Sequence, residues 1–262
     1  MTLTSLQNPL VKQLRKLHRA KERHEQQLFL IEGTHLLESA CLMDRPLVTV
    51  CCTVDWQVAH LELWEQLAQR SQRLEIVSPE VLRAIATTVE PDGVVATMSR
   101  SSTPAPVFSS LGLVLETIQD PGNLGTMIRT AAAVGAEGIL LSKDCVDLDH
   151  PKVLRASAGQ WFRVPMASSA TLVDDIVHYQ NQGMQVIATL PTATDPYWQA
   201  DFRKPTLILM GNEGSGLTPA LTALANTAVK IPLEPGVESL NVAIAAALIL
   251  YEAKRQRSVI TT

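Results

Sequence analysis

The chain has 262 residues, of which 46% are hydrophobic and 18% are charged, and its formal net charge is −4. A chain of this length and composition can bury one large core or two modest ones, and we expect two domains. The acidic balance argues against a protein that coats nucleic acid indiscriminately, because such binding favours a broadly basic surface.

The sequence also argues against a membrane protein and a metal protein. The longest apolar run, residues 242–251, is far shorter than a bilayer span, and the amino terminus lacks a signal-peptide pattern. We therefore expect a cytoplasmic protein without membrane association. The cysteines form no C-x-x-C pair and have no histidine at metal-ligand spacing, so we expect buried, reduced thiols and no metal. They are Cys41, Cys51, Cys52 and Cys145.

The amino-terminal arm, residues 1–24, is basic in this acidic chain. Its six cations and one acid, Glu22, give it a local charge of +5. The cations are Lys12, Arg15, Lys16, Arg19, Lys21 and Arg23. Leucines recur at spacings of three and four, which predicts a helix with one docked face and one charged face. Charge alone leaves contact with phosphate groups and a merely solvated face equally open.

Residues 27 to about 98 alternate between apolar runs and helical patterns, which predicts a small α/β sandwich. The predicted strands are 29–31, 47–52, 74–77 and 93–98, and the predicted helices are 33–41, 58–69 and 79–86. A Ser- and Pro-rich stretch at 100–106 has no apolar period and predicts a linker. We place the domain boundary there, so that the domains comprise residues 1–103 and 104–262.

After the linker the alternation resumes and predicts a parallel sheet with helices on both sides. The predicted strands are 111–117, 138–141, 164–166, 185–190, 207–210 and 228–231, and the predicted helices are 126–134, 151–158, 171–181 and 242–251. Ligands bind outside the carboxyl ends of strands in such sheets, so the strand-end loops should line one crevice. These loops lie at residue 123 and at 189–190, 211–216 and 231–241.

The loop at 211–216 contains three glycines, which permit positive φ and a close approach of backbone N–H groups to a ligand. A simple tight turn would use the same residues. The spacing of Gly211 and Gly216 matches a P-loop, but Leu217 stands where the phosphate-binding lysine is required. Glu213 stands two residues before Ser215, where the nucleophile elbow of a hydrolase needs glycine. A P-loop nucleotide-binding protein and a hydrolase with a nucleophile elbow are therefore both excluded.

Arg129 lies one turn into the apolar helix that follows the strand 111–117. One interpretation is an arginine that pairs with an acid at the edge of the core, such as Glu213. The other is a guanidinium held at a phosphate or at a developing oxyanion. The residues alone leave both open.

Three stretches carry a resemblance to a known family. They read QDPGNLGTMIRTAAAVGA (119–136), LILMGNEGSGL (207–217) and VKIPLEPGVESLNVAIAAALILYEAKRQ (229–256). In this order and spacing they resemble the three motifs of the SpoU/TrmH family, RNA ribose 2′-O-methyltransferases of the SPOUT superfamily. The resemblance begins at about residue 108. LFLIEGTHLLESAC (28–41) is similar to the ribosomal-protein-like domain that often precedes the catalytic domain and binds RNA.

The resemblance implies a deep trefoil knot in the carboxyl-terminal domain, which is a rare exception to the usual topology rules. It implies S-adenosylmethionine as the cofactor, RNA as the partner, and a homodimer formed through the catalytic domain. Ribosomal RNA is the expected substrate, because the additional amino-terminal domain resembles those of the ribosomal enzymes. The alternatives are transfer RNA as the substrate, a non-catalytic ribosome-associated RNA-binding protein, and a nucleotide-binding enzyme of unrelated chemistry.

The family's functional positions can be carried over residue by residue. The implied cofactor contacts are Thr189, Leu190, Gly211, Asn212, Ile231, Pro232 and Leu240. The implied polar active-site residues are Asn123, Arg129, Glu213, Ser239 and Asn241. A guanidinium, with a pKa above about 12, is a poor proton acceptor. We therefore expect the main role of Arg129 to be orienting the RNA phosphate and stabilising the alkoxide, and its action as a base to be secondary. We expect Glu213 to hold Arg129 in place.

Overall fold

The computed structural model describes residues 2–100 and 105–258. The chain forms two compact units, the first from Met1–Ser102 and Asp147–Phe162 and the second from Thr103–Val146 and Arg163–Thr262. Most of the predicted linker, with the boundary between residues 103 and 104, lies outside the described residues. The division into domains 1–103 and 104–262 stays a prediction, and it does not include the return of residues 147–162 to the first unit.

The described residues contain eleven strands and eleven α-helices. The strands are β1 (Leu28–Glu32), β2 (Leu47–Cys52), β3 (Ser71–Ile76), β4 (Val94–Ser99), β5 (Leu111–Leu115), β6 (Gly138–Ser142), β7 (Met166–Ser169), β8 (Gln185–Thr189), β9 (Asp195–Pro196), β10 (Thr206–Met210) and β11 (Thr227–Lys230). The helices are α1 (Pro9–Lys16), α2 (Ala20–Gln26), α3 (Thr34–Leu42), α4 (Val54–Ala59), α5 (Leu61–Arg70), α6 (Pro79–Ile85), α7 (Pro121–Val134), α8 (Pro151–Ala156), α9 (Leu172–Asn181), α10 (Pro219–Thr222) and α11 (Val242–Ser258).

The first unit is built on a four-stranded sheet in the order β1-β4-β2-β3. Strand β4 is antiparallel to β1 and β2, whereas β2 and β3 are parallel. Successive side chains of β1 point to opposite faces, so Phe29 and Ile31 join one apolar cluster and Leu30 joins the other. Helices cover both faces, and the predicted α/β sandwich is confirmed.

The second unit contains a seven-stranded sheet in the order β7-β6-β5-β10-β8-β11-β9, and every pairing in it is parallel. The predicted parallel sheet is therefore confirmed. Strands β5 and β10 lie in its centre and are fully buried, as their continuous apolar sequences require. All carboxyl ends lie at one edge of the sheet. The deep trefoil knot stays a prediction.

Helix α7 begins five residues earlier than the sequence predicted. Pro121 occupies the first turn, where its missing N–H costs no hydrogen bond, and the Asp120 side chain accepts from the Asn123 N–H at 2.8 Å. Asn123 is therefore part of the first helical turn and not of a preceding loop. The predicted helix at 58–69 is also divided, into α4 and α5, at His60.

The amino-terminal arm forms two short helices, α1 and α2, and its predicted docked face is confirmed. The docked side chains pack against the α6 side of the first unit. They are Leu10, Val11, Leu14 and Leu17, with Leu3 and Leu6 partly buried beside them. Four of its cations are exposed and make no ion pair with a described residue. They are Lys12, Arg15, Lys16 and Arg19.

Arg23 departs from the predicted charged face, because its side chain is only 1% exposed. Its Nη2 lies 2.8 Å from Asp147 Oδ2, and its Nε donates to Asp149 Oδ1 at 3.1 Å. Both acids belong to the segment 147–162 that returns to the first unit. Counting Arg23 among the cations available to RNA was therefore wrong, since it neutralises two carboxylates within this unit.

The same segment is fixed at two further places. Arg155 Nη1 lies 3.3 Å from the buried Glu32 carboxylate and donates to Thr87 Oγ1 at 2.7 Å. Leu154 and Phe162 are fully buried in the larger apolar cluster of the first unit. The segment thus completes the core of the first unit.

The four cysteines are free thiols, three of them buried, and Cys145 is half-buried. Burial raises the pKa of Cys52 to about 12, so this thiol stays protonated near neutral pH. Among the described residues, no helix has both the length and the apolarity that crossing a membrane would require.

We predict that Arg23→Ala destabilises the full chain by about 3 kcal/mol, because the half-buried Asp147 loses its arginine and the buried Asp149 keeps only Arg100, at 2.5 Å. The measurement is the urea unfolding midpoint. Arg19→Ala is the matched control, since Arg19 is exposed. It should change the free energy of unfolding by no more than about 0.5 kcal/mol and so leave the midpoint nearly unchanged. Equal midpoints for the two variants would contradict this role of Arg23.

Candidate active site

Four loops meet at the carboxyl edge of the seven-stranded sheet. They follow β5, β10, β8 and β11, which are consecutive neighbours in the sheet. Because neighbouring strands lie about 5 Å apart, the ends of these four strands span roughly 15 Å. The predicted crevice is formed here, and each of its loops carries residues that the sequence analysis singled out.

The loop after β10 is closed by its own backbone. Asn212 and Gly216 exchange two backbone hydrogen bonds of 3.0 Å, and Gly216 adopts a φ of +69°. A Cβ atom on Gly211 would lie 2.2 Å from the carbonyl carbon of Gly216 and 2.3 Å from the nitrogen of Leu217. Glycine at position 211 is therefore required by the fold of the loop itself.

The side chain of Asn212 fixes this loop to the end of β5. Its Oδ1 accepts from the N–H groups of Gly214 and Ser215 at 2.9 and 3.0 Å, and its Nδ2 donates to the carbonyl oxygen of Thr117 at 2.7 Å. A short polar side chain that bonds the backbone two and three residues ahead stabilises a turn in this way. Asn212 thus orders both loops.

The Glu213 carboxylate binds the start of α7. It accepts from Asn123 Nδ2 at 3.1 Å and from the N–H groups of Asp120 and Gln119 at 3.3 and 3.4 Å. Partial burial raises the pKa of Glu213, but these hydrogen bonds outweigh burial and the net pKa is lowered. An ionised carboxylate is also favoured at a helix amino terminus. Glu213 is therefore poorly suited to take up a proton.

Asn123 extends this contact to the third loop. Asn241 Nδ2 donates to Asn123 Oδ1 at 2.8 Å. Asn241 Oδ1 in turn accepts from the N–H groups of Ala243 and Ile244, at 2.9 and 3.3 Å, and so caps α11. A chain of hydrogen bonds from Asn241 through Asn123 to Glu213 thus joins the loops after β11, β5 and β10.

Arg129 is exposed on α7, and it makes no hydrogen bond or ion pair with any residue in the described part of the chain. The expectation that Glu213 holds Arg129 in place is therefore wrong, because Glu213 is occupied by Asn123 and the adjacent backbone. Ser239 is likewise exposed and without a hydrogen bond to described residues. The structure brings together Asn123, Glu213 and Asn241 and leaves Arg129 and Ser239 free to meet a ligand.

The predicted cofactor residues at the end of β8 contain an unsatisfied polar atom. Thr189 Oγ1 is buried and has no hydrogen-bond partner among the described residues. Buried hydroxyls normally have partners, so this oxygen fits a polar atom of a ligand. Leu190, directly after β8, and Ile231, directly after the adjacent β11, are half-buried, whereas Pro232 and Leu240 are exposed. This mixture suits S-adenosylmethionine, which has both polar and apolar parts.

The backbone N–H groups of Gln119 and Asp120, which donate to Glu213, were not among the predicted site groups. The signal was present, because Asp followed by Pro is typical of a helix start and places these N–H groups at its amino terminus. Within residues 2–100 and 105–258, no three His, Cys, Asp or Glu side chains are grouped as metal ligands would be.

The fold and the site define a parallel α/β protein whose ligand crevice is formed by loops at the carboxyl edge of the sheet. The profile of the SpoU rRNA Methylase family matches residues 110–251, and the profile of the MRM3-like substrate binding domain matches residues 8–96. The chain therefore belongs to the SpoU rRNA methylase family, and both resemblances seen in the sequence are confirmed.

Relatives match over nearly the whole chain. An uncharacterized tRNA/rRNA methyltransferase of Synechocystis sp. is 48% identical over 98% of this chain and 94% of its own length. The 23S rRNA (guanosine(2553)-2′-O)-methyltransferase RlmP of Bacillus subtilis is 31% identical over 96% of this chain and 98% of its own length. The crystal structure of an AdoMet-bound rRNA methyltransferase from Sinorhizobium meliloti superposes with a TM-score of 0.86, at 34% identity and 97% coverage of both chains.

We predict that Gly211→Ala shifts the loop after β10, because its Cβ would overlap the backbone of Gly216. The variant should lose about 1–3 kcal/mol of stability and bind S-adenosylmethionine at least tenfold more weakly. Thermal unfolding and calorimetry are the measurements. Gly214→Ala is the control, since its Cβ would meet only Asn212 Oδ1, at 3.6 Å. Unchanged cofactor binding by Gly211→Ala would separate this loop from the cofactor site.

Proposed function

We propose that this chain transfers a methyl group from S-adenosylmethionine to a ribose 2′-hydroxyl of RNA, with ribosomal RNA as the substrate. The observation that carries the proposal is the hydrogen-bond chain from Asn241 through Asn123 to Glu213. It joins the loops after β10 and β11 to the start of α7, the helix that also carries the unpaired Arg129. Membership of the SpoU family and the named activities of the relatives support the same reaction.

The residues of the crevice divide into those that hold the cofactor and those that face the RNA. Bound S-adenosylmethionine supplies a methyl group on a positively charged sulfur. We assign its binding to Thr189, with its unsatisfied hydroxyl, and to the adjoining loops after β10 and β11. Ser239 and Asn241 lie in the loop leading into α11 and are available to the methionine end of the cofactor or to the ribose.

Arg129 has the properties needed to handle the RNA. A ribose hydroxyl is a weak nucleophile, and negative charge grows on its oxygen as its proton leaves. A guanidinium stabilises such charge and binds phosphate in a forked geometry, but it does not readily accept a proton. We therefore assign Arg129 to orienting the RNA backbone and stabilising the developing alkoxide.

Glu213 has a positioning role in this proposal and is not the base. Its lowered pKa disfavours protonation at neutral pH, and its two oxygens accept hydrogen bonds from Asn123 and from the start of α7. It keeps the first turn of α7, and with it the helix that carries Arg129, fixed against the loop after β10.

Arg129→Ala should lower methyl transfer by about 10²–10³-fold, because the charge on the attacking oxygen loses its stabilising cation. The affinity for S-adenosylmethionine should remain within about threefold, and the fold should be unaffected because Arg129 is exposed. The assay is transfer of a labelled methyl group to ribosomal RNA from cells that lack the protein.

Arg129→Lys serves as the matched variant, since it keeps the positive charge and loses the forked N–H donors of the guanidinium. It should retain more activity than Arg129→Ala. Loss of cofactor binding in Arg129→Ala would mean that Arg129 serves the cofactor and would overturn this assignment. Calorimetry with S-adenosylmethionine tests the proposed function itself, because absence of binding to the pure chain would leave a non-catalytic RNA-binding protein.

We further propose that the arm contacts RNA phosphates through its exposed cations, which are Lys12, Arg15, Lys16 and Arg19. Lys12, Arg15 and Lys16 lie on α1 at spacings of three and four, on the face opposite its docked leucines, and Arg19 directly precedes α2. The match of residues 8–96 to a substrate binding domain supports this proposal.

Replacing these four cations by glutamine should weaken RNA binding and flatten its salt dependence. Each lost phosphate contact lowers the slope of log affinity against log salt by about 0.7 on a single strand. Fluorescence anisotropy with a short labelled single-stranded RNA is the measurement. Cofactor affinity should not change. An unchanged salt slope would show that the arm is only a solvated face.

Transfer RNA is the alternative substrate. Mapping of 2′-O-methyl groups in ribosomal and transfer RNA from cells with and without the protein decides between the two. A missing methyl group in transfer RNA alone would overturn the ribosomal assignment. We infer that the protein acts in the cytoplasm, which agrees with its free thiols.

We also propose a homodimer through the second unit, together with the trefoil knot of the family. Helix α11 exposes Ile244, Leu248 and Tyr251, which recur at four and three residues and form one apolar face. The exposed Trp198 follows β9. A contiguous apolar face of this kind is typical of an interface. A monomer in sedimentation equilibrium would contradict this proposal.

A further inference from the structure

Thr117, in the short connection between β5 and α7, has an unusual backbone conformation with a φ of +56°. Among the described residues, four residues other than glycine have a positive φ, and Thr117 is the one with a β-branched side chain. The branched Cβ crowds the backbone in this left-handed conformation, which is therefore unfavourable for threonine. Such a conformation persists only where the surrounding structure holds it, and it is found most often at functional sites.

The turn that follows β6 supplies the groups that hold Thr117. The N–H of Thr117 donates to Ser142 Oγ at 2.8 Å, and its hydroxyl donates to Asp144 Oδ2 at 2.6 Å. Hydrogen bonds from Ser142 and Thr117 lower the pKa of Asp144, so its carboxylate is ionised at neutral pH and is a strong acceptor. The side chain of Thr117 thus stabilises the strained conformation of its own backbone.

The backbone around Thr117 faces the candidate active site. The Thr117 carbonyl oxygen accepts from Asn212 Nδ2 at 2.7 Å. Two and three residues further along, the N–H groups of Gln119 and Asp120 donate to Glu213 at 3.4 and 3.3 Å. A different conformation at Thr117 would redirect these three backbone groups. The loop after β10 would then lose its contacts with the start of α7.

We propose that Thr117 is a positioning residue for methyl transfer, and that its hydroxyl acts by holding its own backbone in the left-handed conformation. That conformation presents one carbonyl to Asn212 and two N–H groups to Glu213, and so fixes α7 against the loop after β10. Thr117 acts through these groups and does not touch the RNA or the cofactor. The inference rests on the proposed function, because α7 carries Arg129.

Thr117→Val keeps the branched side chain and removes the hydroxyl, so the strained backbone should relax. The kcat of methyl transfer should fall about tenfold, because Arg129 is displaced from the loop after β10. The Kd for S-adenosylmethionine should stay within about threefold, since the backbone bonds between Asn212 and Gly216 close that loop by themselves. Labelled methyl transfer to ribosomal RNA and calorimetry are the measurements.

Thr117→Gly is the matched variant. Glycine adopts a positive φ without help from a hydroxyl, so this variant should keep kcat within about threefold of the original value. A merely structural loss of side-chain contacts would make glycine at least as harmful as valine. Equal losses of kcat in the two variants, or no loss in Thr117→Val, would therefore overturn the proposal.

The pKa of Glu213 reports the same positioning without any substrate. Partial burial raises this pKa, but hydrogen bonds from Asn123 and from the start of α7 lower it below the ordinary value. Thr117→Val should therefore raise the pKa of Glu213, and Thr117→Gly should leave it unchanged. The measurement is an NMR titration of the Glu213 carboxyl carbon. A pKa of Glu213 that Thr117→Val leaves unchanged would contradict the proposal.

Asp144→Ala tests the contact if Thr117→Val fails to fold, because Asp144 is exposed and its loss should be tolerated. It should also lower kcat and raise the pKa of Glu213. Loss of the negative charge alone would lower that pKa, so a fall or no change would contradict the proposal. The double variant should be no worse than Thr117→Val, since both changes remove one hydrogen bond.

Thr130→Val is the control for the chemical change. The Thr130 hydroxyl donates to the Thr126 carbonyl at 2.9 Å within α7, where the backbone is helical. This variant should leave both kcat and the pKa of Glu213 unchanged. Effects equal to those of Thr117→Val would show a general response of this helix to the loss of a hydroxyl and would overturn the proposal.

The two measurements separate this inference from the proposed function. Absence of S-adenosylmethionine binding to the original chain overturns the proposed function, while the pKa of Glu213 still decides whether Thr117 positions that carboxylate. Methyl transfer by the original chain with an unchanged kcat in Thr117→Val overturns the inference alone. A raised pKa with an unchanged kcat would limit Thr117 to a structural turn and would also overturn its role in transfer.

Discussion

The carboxylate of Glu213 is the constraint on which the candidate active site depends. Its two oxygens receive donors from the start of α7 and from Asn123, and Asn123 accepts in turn from Asn241. An ionised carboxylate with several charge-assisted hydrogen bonds is a stable anchor, whereas the same group unpaired would repel nearby anions. Three loops that are distant in sequence thereby acquire one geometry. Arg129 stands outside this network and so keeps its charge available.

Much of this site could be predicted from sequence, because parallel strands place their carboxyl ends at one edge and glycine marks the loop that must close on itself. That logic, with the family's motifs, brought Asn123, Glu213 and Asn241 to the same place. The same logic could not predict which of the polar side chains that meet there form hydrogen bonds with each other. The expected pair of Glu213 and Arg129 was chosen by charge alone, and the backbone N–H groups at the start of α7 compete better for the carboxylate because the helix terminus already holds them in position.

The sequence could not reveal the core of the first unit completely, because part of it is supplied by residues 147–162. Arg23 has the spacing of a charged face, yet its partners Asp147 and Asp149 lie more than a hundred positions along the chain. Local periodicity reports which face of a helix is apolar, and it carries no information on a distant acid that buries an arginine. The exposed cations of α1 have no such partners, so the same periodicity described them correctly.

The return of residues 147–162 has a consequence for biosynthesis. Domains generally fold in order as the chain emerges from the ribosome. Here the first unit cannot bury Leu154 and Phe162, or neutralise Arg23, until residue 162 has emerged from the ribosome, by which time β5, α7 and β6 have also emerged. The amino-terminal portion must therefore wait, incompletely packed, while the beginning of the second unit is synthesised. During synthesis, completion of the first unit is therefore interleaved with the appearance of the second unit, and the two units do not fold one after the other.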